Sequence, residues 1–66
     1  MNEVTLAGRL LVNPAEAADA LGIGRTRVYE LMAAGALRSV KIGRSRRIPV
    51  QALTEFVSAM AEEGAA

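Results

Sequence analysis

At 66 residues the chain has room for one domain, and a domain of that size buries only about 60% of its unfolded surface. Hydrophobic residues make up 52%, but 13 of them are alanine, so large core side chains are scarce, with one phenylalanine, one tyrosine and no tryptophan. Cysteine and histidine are absent, which excludes a disulfide framework, the usual transition-metal ligands, and the commonest nucleophile and general base.

The formal net charge of +1 hides a segregation. Residues 25–47 hold Arg25, Arg27, Arg38, Lys41, Arg44, Arg46 and Arg47 against Glu30 alone, a net of +6. The remainder holds Arg9 against six acids, a net of −5. A basic block of that density suits a polyanion, and six of its seven cations are arginine, the better fork for phosphate. The bland alternative is that these cations only keep a loop soluble. No apolar run reaches membrane-spanning length, and no basic-then-apolar leader opens the chain, which fits a cytoplasmic protein with no membrane partner.

In chain order, residues 1–9 are expected to be a flexible N-terminus, as termini usually are. Leu10-Leu11-Val12 is too short for a helix and is expected to form a brief extended segment packed on the core. A first helix runs from Pro14 to Leu21: Asn13 can cap it, Pro14 suits the first helical position, and Glu16 sits at the third. Ala17, Ala18 and Leu21 form its narrow apolar stripe, and Gly22 stops it because glycine reaches the left-handed conformation without strain. Ile23 is expected to plug the turn from inside. A second helix spans about Arg25 to Ala34, with Val28, Leu31 and Met32 inward and Gly35 as its stop.

Two short helices joined by a three-residue glycine turn make a helix-turn-helix, although a plain helical hairpin would show the same periodicity. The outer face of the second helix separates the two. Steps of about 100° per residue leave Thr26, Tyr29, Glu30 and Ala33 outward, flanked by Arg25 and Arg27. Guanidinium forks, a hydroxyl and a phenol around small residues suit a helix lying in a major groove.

Beyond Gly35 the period changes. Leu37 to Ile42 and Arg46 to Pro49 read as strands around a loop of Gly43-Arg44-Ser45. That loop puts Val40 and Ile42 on one face with Ile48 opposite, and Lys41 and Arg47 on the other. Pro49 ends the ladder because it has no N–H to donate. Arg44 and Arg46 at the tip can enter a minor groove or follow phosphates; alternatively they are solvated gatekeepers on an edge strand. Residues from about Val50 to Ala61 form an amphipathic helix, whose stripe of Leu53, Phe56, Val57 and Met60 is expected to close the core against the first two helices.

Chemistry is otherwise sparse. The carboxylates form no close pair for acid–base work. Gly22-Ile23-Gly24 opens like a dinucleotide fingerprint, but Arg27 occupies the third glycine position and no strand precedes it. No phosphate-binding loop is present. The expectation is a protein with no catalytic residue, no cofactor, no metal and no small-molecule ligand.

The runs Glu16-Ala-Ala-Asp-Ala-Leu-Gly-Ile-Gly24, Arg25-Thr-Arg-Val-Tyr-Glu-Leu-Met32, Gly35-Ala-Leu-Arg-Ser-Val-Lys-Ile-Gly-Arg-Ser-Arg-Arg-Ile-Pro49 and Ala52-Leu-Thr-Glu-Phe-Val57 together resemble the excisionase-type, MerR-like winged helix-turn-helix family. The match covers roughly residues 10–60, and Ser39 to Pro49 is its most specific part. Gly24 departs from the serine usual at the head of the second helix. The resemblance implies a mainly α fold of three helices plus a two-stranded β-hairpin wing; the domain is expected at residues 10–62, and the C-terminal alanines read as a frayed end at 63–66. The resemblance also implies a recognition helix presenting Arg25, Thr26, Arg27, Tyr29 and Glu30, and a wing from Lys41 to Arg47 presenting Lys41, Arg44, Ser45, Arg46 and Arg47. Arg38 is a further candidate phosphate contact.

Members of the family include phage and mobile-element excisionases, which bind and bend attachment-site DNA and direct an integrase toward excision. The implied partners are therefore double-stranded DNA and an integrase, with cooperative self-association on DNA. The same domain occurs in small transcription regulators. A third alternative is a protein-interaction module whose basic face meets an acidic partner.

Overall fold

A computed structural model describes residues 8–65. Its elements are β1 (Leu11–Val12), α1 (Pro14–Leu21), α2 (Arg25–Ala33), β2 (Val40–Ile42), β3 (Ser45–Pro49) and α3 (Val50–Ala65). Most of residues 1–9, expected to be flexible, lie outside the described range. Three helices and a small antiparallel sheet make the fold mainly helical, as a winged helix-turn-helix requires.

α1 starts where Asn13 leaves the helical conformation and closes a capping box. The Asn13 side chain accepts from the Glu16 N–H at 2.8 Å, and the Glu16 carboxylate accepts from the Asn13 N–H at 2.9 Å. Glu16 is also ion-paired to Arg9. α1 ends at Gly22, whose φ of 71° is left-handed. There the Gly22 N–H donates to the Asp19 carbonyl and the Ile23 N–H to the Ala18 carbonyl, the paired bonds of a Schellman motif. α2 ends the same way at Gly35, with Gly35 donating to Met32 and Ala36 to Leu31.

The expected two-stranded wing is present as the β2–β3 hairpin, and β1 extends it into a three-stranded sheet. Its order is β1-β3-β2, so β3 pairs on both edges, with Leu11 opposite Pro49 and Val12 opposite Ile48. Pro49 offers no N–H, and the Val50 N–H carries the ladder on by donating to the Leu10 carbonyl at 2.9 Å. Only part of the Leu10-Leu11-Val12 run packs inward: Val12 is fully buried, whereas Leu10 is 83% exposed.

The hairpin register is also one residue away from expectation. Ser45 pairs with Ile42, Lys41 with Arg46 and Val40 with Arg47, leaving a two-residue turn of Gly43 and Arg44. Gly43, at φ 63°, supplies the positive φ that primed two-residue turns need first. A one-residue slip exchanges the faces of a strand. Arg47 therefore shares a face with Val40 and Ile42, while Ile48 shares the other with Lys41 and Arg46.

The largest fully buried side chains are Leu37, Ile48, Val12 and Val28. Each comes from a different stretch of chain, so the core is a clamp on β1, α2, the α2–β2 connection and β3. Burying each contributes about 1.5–3 kcal/mol. α1 adds Ala17 and Ala18, small enough for close approach, and Leu21, Ile23, Leu31 and Met32 ring the centre half-buried.

α3 does less to close the core than its stripe suggests. Val50, Ala52 and Leu53 are buried and Phe56 is half-buried, but Val57 and Met60 are each 51% exposed. The helix packs on β3, and its later turns extend past the sheet. It also runs beyond Ala61 to Ala65, since nothing in Ala61-Glu62-Glu63 stops a helix. Among the described residues, no helix is long and apolar enough to cross a membrane.

Candidate nucleic-acid interface

α2 is held by its inner face and left open on its outer one. Val28 is fully buried, with Leu31 and Met32 half-buried beside it. Arg25, Thr26, Arg27, Tyr29, Glu30 and Ala33 are all exposed, as the helical spacing predicts. The turn from α1 fixes where this face points, because Gly22 and Ile23 lock the chain by the paired bonds to Asp19 and Ala18. The helix begins on Gly24, which has an extended backbone and no side chain to cap the first N–H groups.

The basic side chains differ in how firmly they are held. Arg27 donates from Nη1 to Glu30 Oε1 at 3.2 Å, across one turn of α2. Arg38 donates to Glu55 of α3 at the same distance, which ties this candidate phosphate contact back to the fold. On the hairpin, Arg46 donates to the Ser39 hydroxyl at 3.2 Å, and half-buried Arg47 donates to the Arg46 carbonyl at 2.9 Å. Among the described residues, Arg25, Lys41 and Arg44 have no ion-pair or side-chain hydrogen-bond partner.

The candidate residues thus fall into two groups, one on α2 and one on the β2–β3 hairpin. They are joined through the connection anchored by Leu37, whose N–H donates to the Leu31 carbonyl at 3.1 Å. Arg44 stands in the turn itself, at the tip, while Arg46 lies back in β3 opposite Lys41. Ser45, expected in the loop, is half-buried in the ladder opposite Ile42.

Two supporting residues escape a reading of the sequence. Ser39 orients Arg46 from seven residues away, and Glu55 orients Arg38 from seventeen. Neither spacing is a local motif. The exposed Val40 and Ile42 share a hairpin face with Arg47, and Lys41 and Arg46 share the other with buried Ile48, so cations stand on both faces.

Comparison with known proteins agrees with the helix-turn-helix fold. A family model described as a helix-turn-helix domain matches residues 11–61. A probable excisionase from Saccharopolyspora erythraea is 45% identical over 62 residues, which cover 92% of this chain and 63% of that protein. An excisionase from Streptomyces ambofaciens is 38% identical over 53 residues, covering 80% of this chain and 84% of its own length. The chain therefore spans just under two thirds of the first relative and most of the second. No solved structure matches it. The chain belongs to the helix-turn-helix domain family and, within it, to the excisionase-type proteins.

Proposed function

We propose that this chain is a DNA-binding excisionase-type factor that reads a duplex with α2 and grips its backbone with the β2–β3 hairpin. The observation that carries this is the pairing of a helix-turn-helix frame with a net +6 over residues 25–47, borne on α2, the hairpin and Arg38 between them, with every cation but half-buried Arg47 exposed. In this scheme Arg25, Thr26, Arg27, Tyr29 and Glu30 face base edges and flanking phosphates of the major groove. Lys41, Arg44, Ser45, Arg46 and Arg47 follow phosphates or the minor groove, with Arg38 as a further phosphate contact.

The chain's residues do no bond-making chemistry in this scheme; the protein acts by positioning DNA. On the family resemblance, it bends attachment-site DNA and directs an integrase toward excision, with copies binding cooperatively along the site. It works where the DNA is, in the cytoplasm. The test is selection of bound duplexes from a random pool, followed by sequencing and a footprint. Direct repeats spaced near one helical turn and filled cooperatively support the excisionase role. Inverted half-sites would instead indicate a dimeric transcription regulator. No enrichment at moderate salt would overturn specific DNA recognition and leave an acidic protein partner as the better account.

A further inference from the structure

α2 carries a single acid on a face that is otherwise cationic, polar or small. Glu30 sits one turn beyond Arg27, joined to it by the 3.2 Å bond between Arg27 Nη1 and Glu30 Oε1. Both side chains stay open to solvent, at 67% and 59%. An exposed pair of this kind adds little to stability, so the fold does not explain it. It has a geometric effect instead: one carboxylate oxygen is held, and Oε2 is left to accept from whatever α2 approaches.

A duplex offers a carboxylate few partners. Phosphates repel it, guanine presents two acceptors in the major groove, and thymine presents an acceptor and a methyl group. Adenine pairs its amino donor with the N7 acceptor beside it. Cytosine presents its N4 amino group with no adjoining acceptor of its own, and is the base that glutamate reads. We propose that Glu30, oriented by Arg27, selects cytosine at one position of the bound site, with Arg27 as a positioning residue. This inference rests on the DNA-binding function proposed above, and it assigns the sole acid of the basic block a role in selectivity. Glu30 lowers non-specific affinity by repelling phosphate and restores affinity only where an amino group meets Oε2.

The experiment is selection from one random duplex pool with the wild-type chain, Glu30→Gln and Arg27→Gln. Both changes are at exposed positions and leave the core untouched. Wild type should show one position strongly enriched in cytosine. Glu30→Gln should lose about tenfold of that preference, shifting toward adenine, which glutamine can bind through both N6 and N7. Arg27→Gln should blunt the same position with Glu30 intact. Wild-type selectivity that survives unchanged in Glu30→Gln overturns the proposal while leaving DNA binding standing, as does a uniform rise in affinity for all sequences. Unchanged selectivity in Arg27→Gln overturns the positioning role. If wild type enriches nothing, DNA recognition itself fails.

Discussion

Gly24→Ser should stabilise this protein, and the size of the gain can be worked from the head of α2. Gly24 has φ −76° and ψ 157°, an extended conformation that any residue adopts, and an added Cβ there meets nothing within 4 Å. The first N–H groups of α2 have no side-chain cap. A serine oxygen at this position can accept from the N–H of Thr26 or Arg27, worth a few tenths of a kcal/mol over glycine. That net difference already includes the greater freedom of glycine in the unfolded chain. The gain is therefore about 0.5 kcal/mol, which in a domain of this size raises the melting temperature by about 2–4 °C. Circular dichroism melts and urea titrations measure it. Gly24→Ala is the control: it has the entropic gain but is a worse cap than glycine, so it should not stabilise. Serine without a gain, or alanine gaining as much as serine, would refute the capping argument. Gly24→Asp should stabilise as serine does, but it places a negative charge at the head of α2 and should weaken duplex binding.

The other glycines and the core give further outcomes. Gly22→Ala should cost about 1–2 kcal/mol in a urea titration, because alanine is strained at φ 71° although space is open around it. Leu37→Ala should cost about 2–5 kcal/mol, a large part of the roughly 3–10 kcal/mol expected of so short a chain, whereas Val57→Ala on the exposed end of α3 should cost less than about 0.5 kcal/mol. Phe56→Ala should fall between them at about 2 kcal/mol, since Phe56 is half-buried and not sealed in the core. Arg44→Ala should weaken binding to all duplexes alike and flatten the salt dependence by about one unit, read by fluorescence anisotropy across salt concentrations.

The parts of this fold that were legible in the sequence are those written by neighbouring residues. Asn13, Pro14 and Glu16 announce the start of α1, Gly22 and Gly35 announce the two helix ends, and Val28 fixes which side of α2 faces out. The hairpin register is different: a glycine first in the loop favours a two-residue primed turn, a three-residue loop puts its left-handed residue last, and the two differ by a single step. That step decides whether Arg47 joins Lys41 or Val40. The pairing of β1 with β3 rests on two residues, too few to carry a period. Leu37 lies alone between Ala36 and Arg38, and nothing local marks it as the largest buried side chain. For α3, the spacing of Leu53, Phe56, Val57 and Met60 states that one side is apolar but not how much of the domain is there to cover it. At the interface, the exposed strip of α2 could be read residue by residue. The restraint of Arg46 by Ser39 and of Arg38 by Glu55 could not, since both depend on tertiary approach.

A backbone amide NMR titration of the labelled protein with a selected duplex tests whether α2 and the hairpin together meet DNA. The largest shifts should fall on Arg25, Thr26, Tyr29 and Glu30 of α2 and on Lys41, Arg44 and Arg46 of the hairpin, with Val57, Met60, Glu62 and Glu63 of α3 unmoved. Shifts confined to α3, or spread over the chain with no maximum on α2 and the hairpin, would contradict that contact.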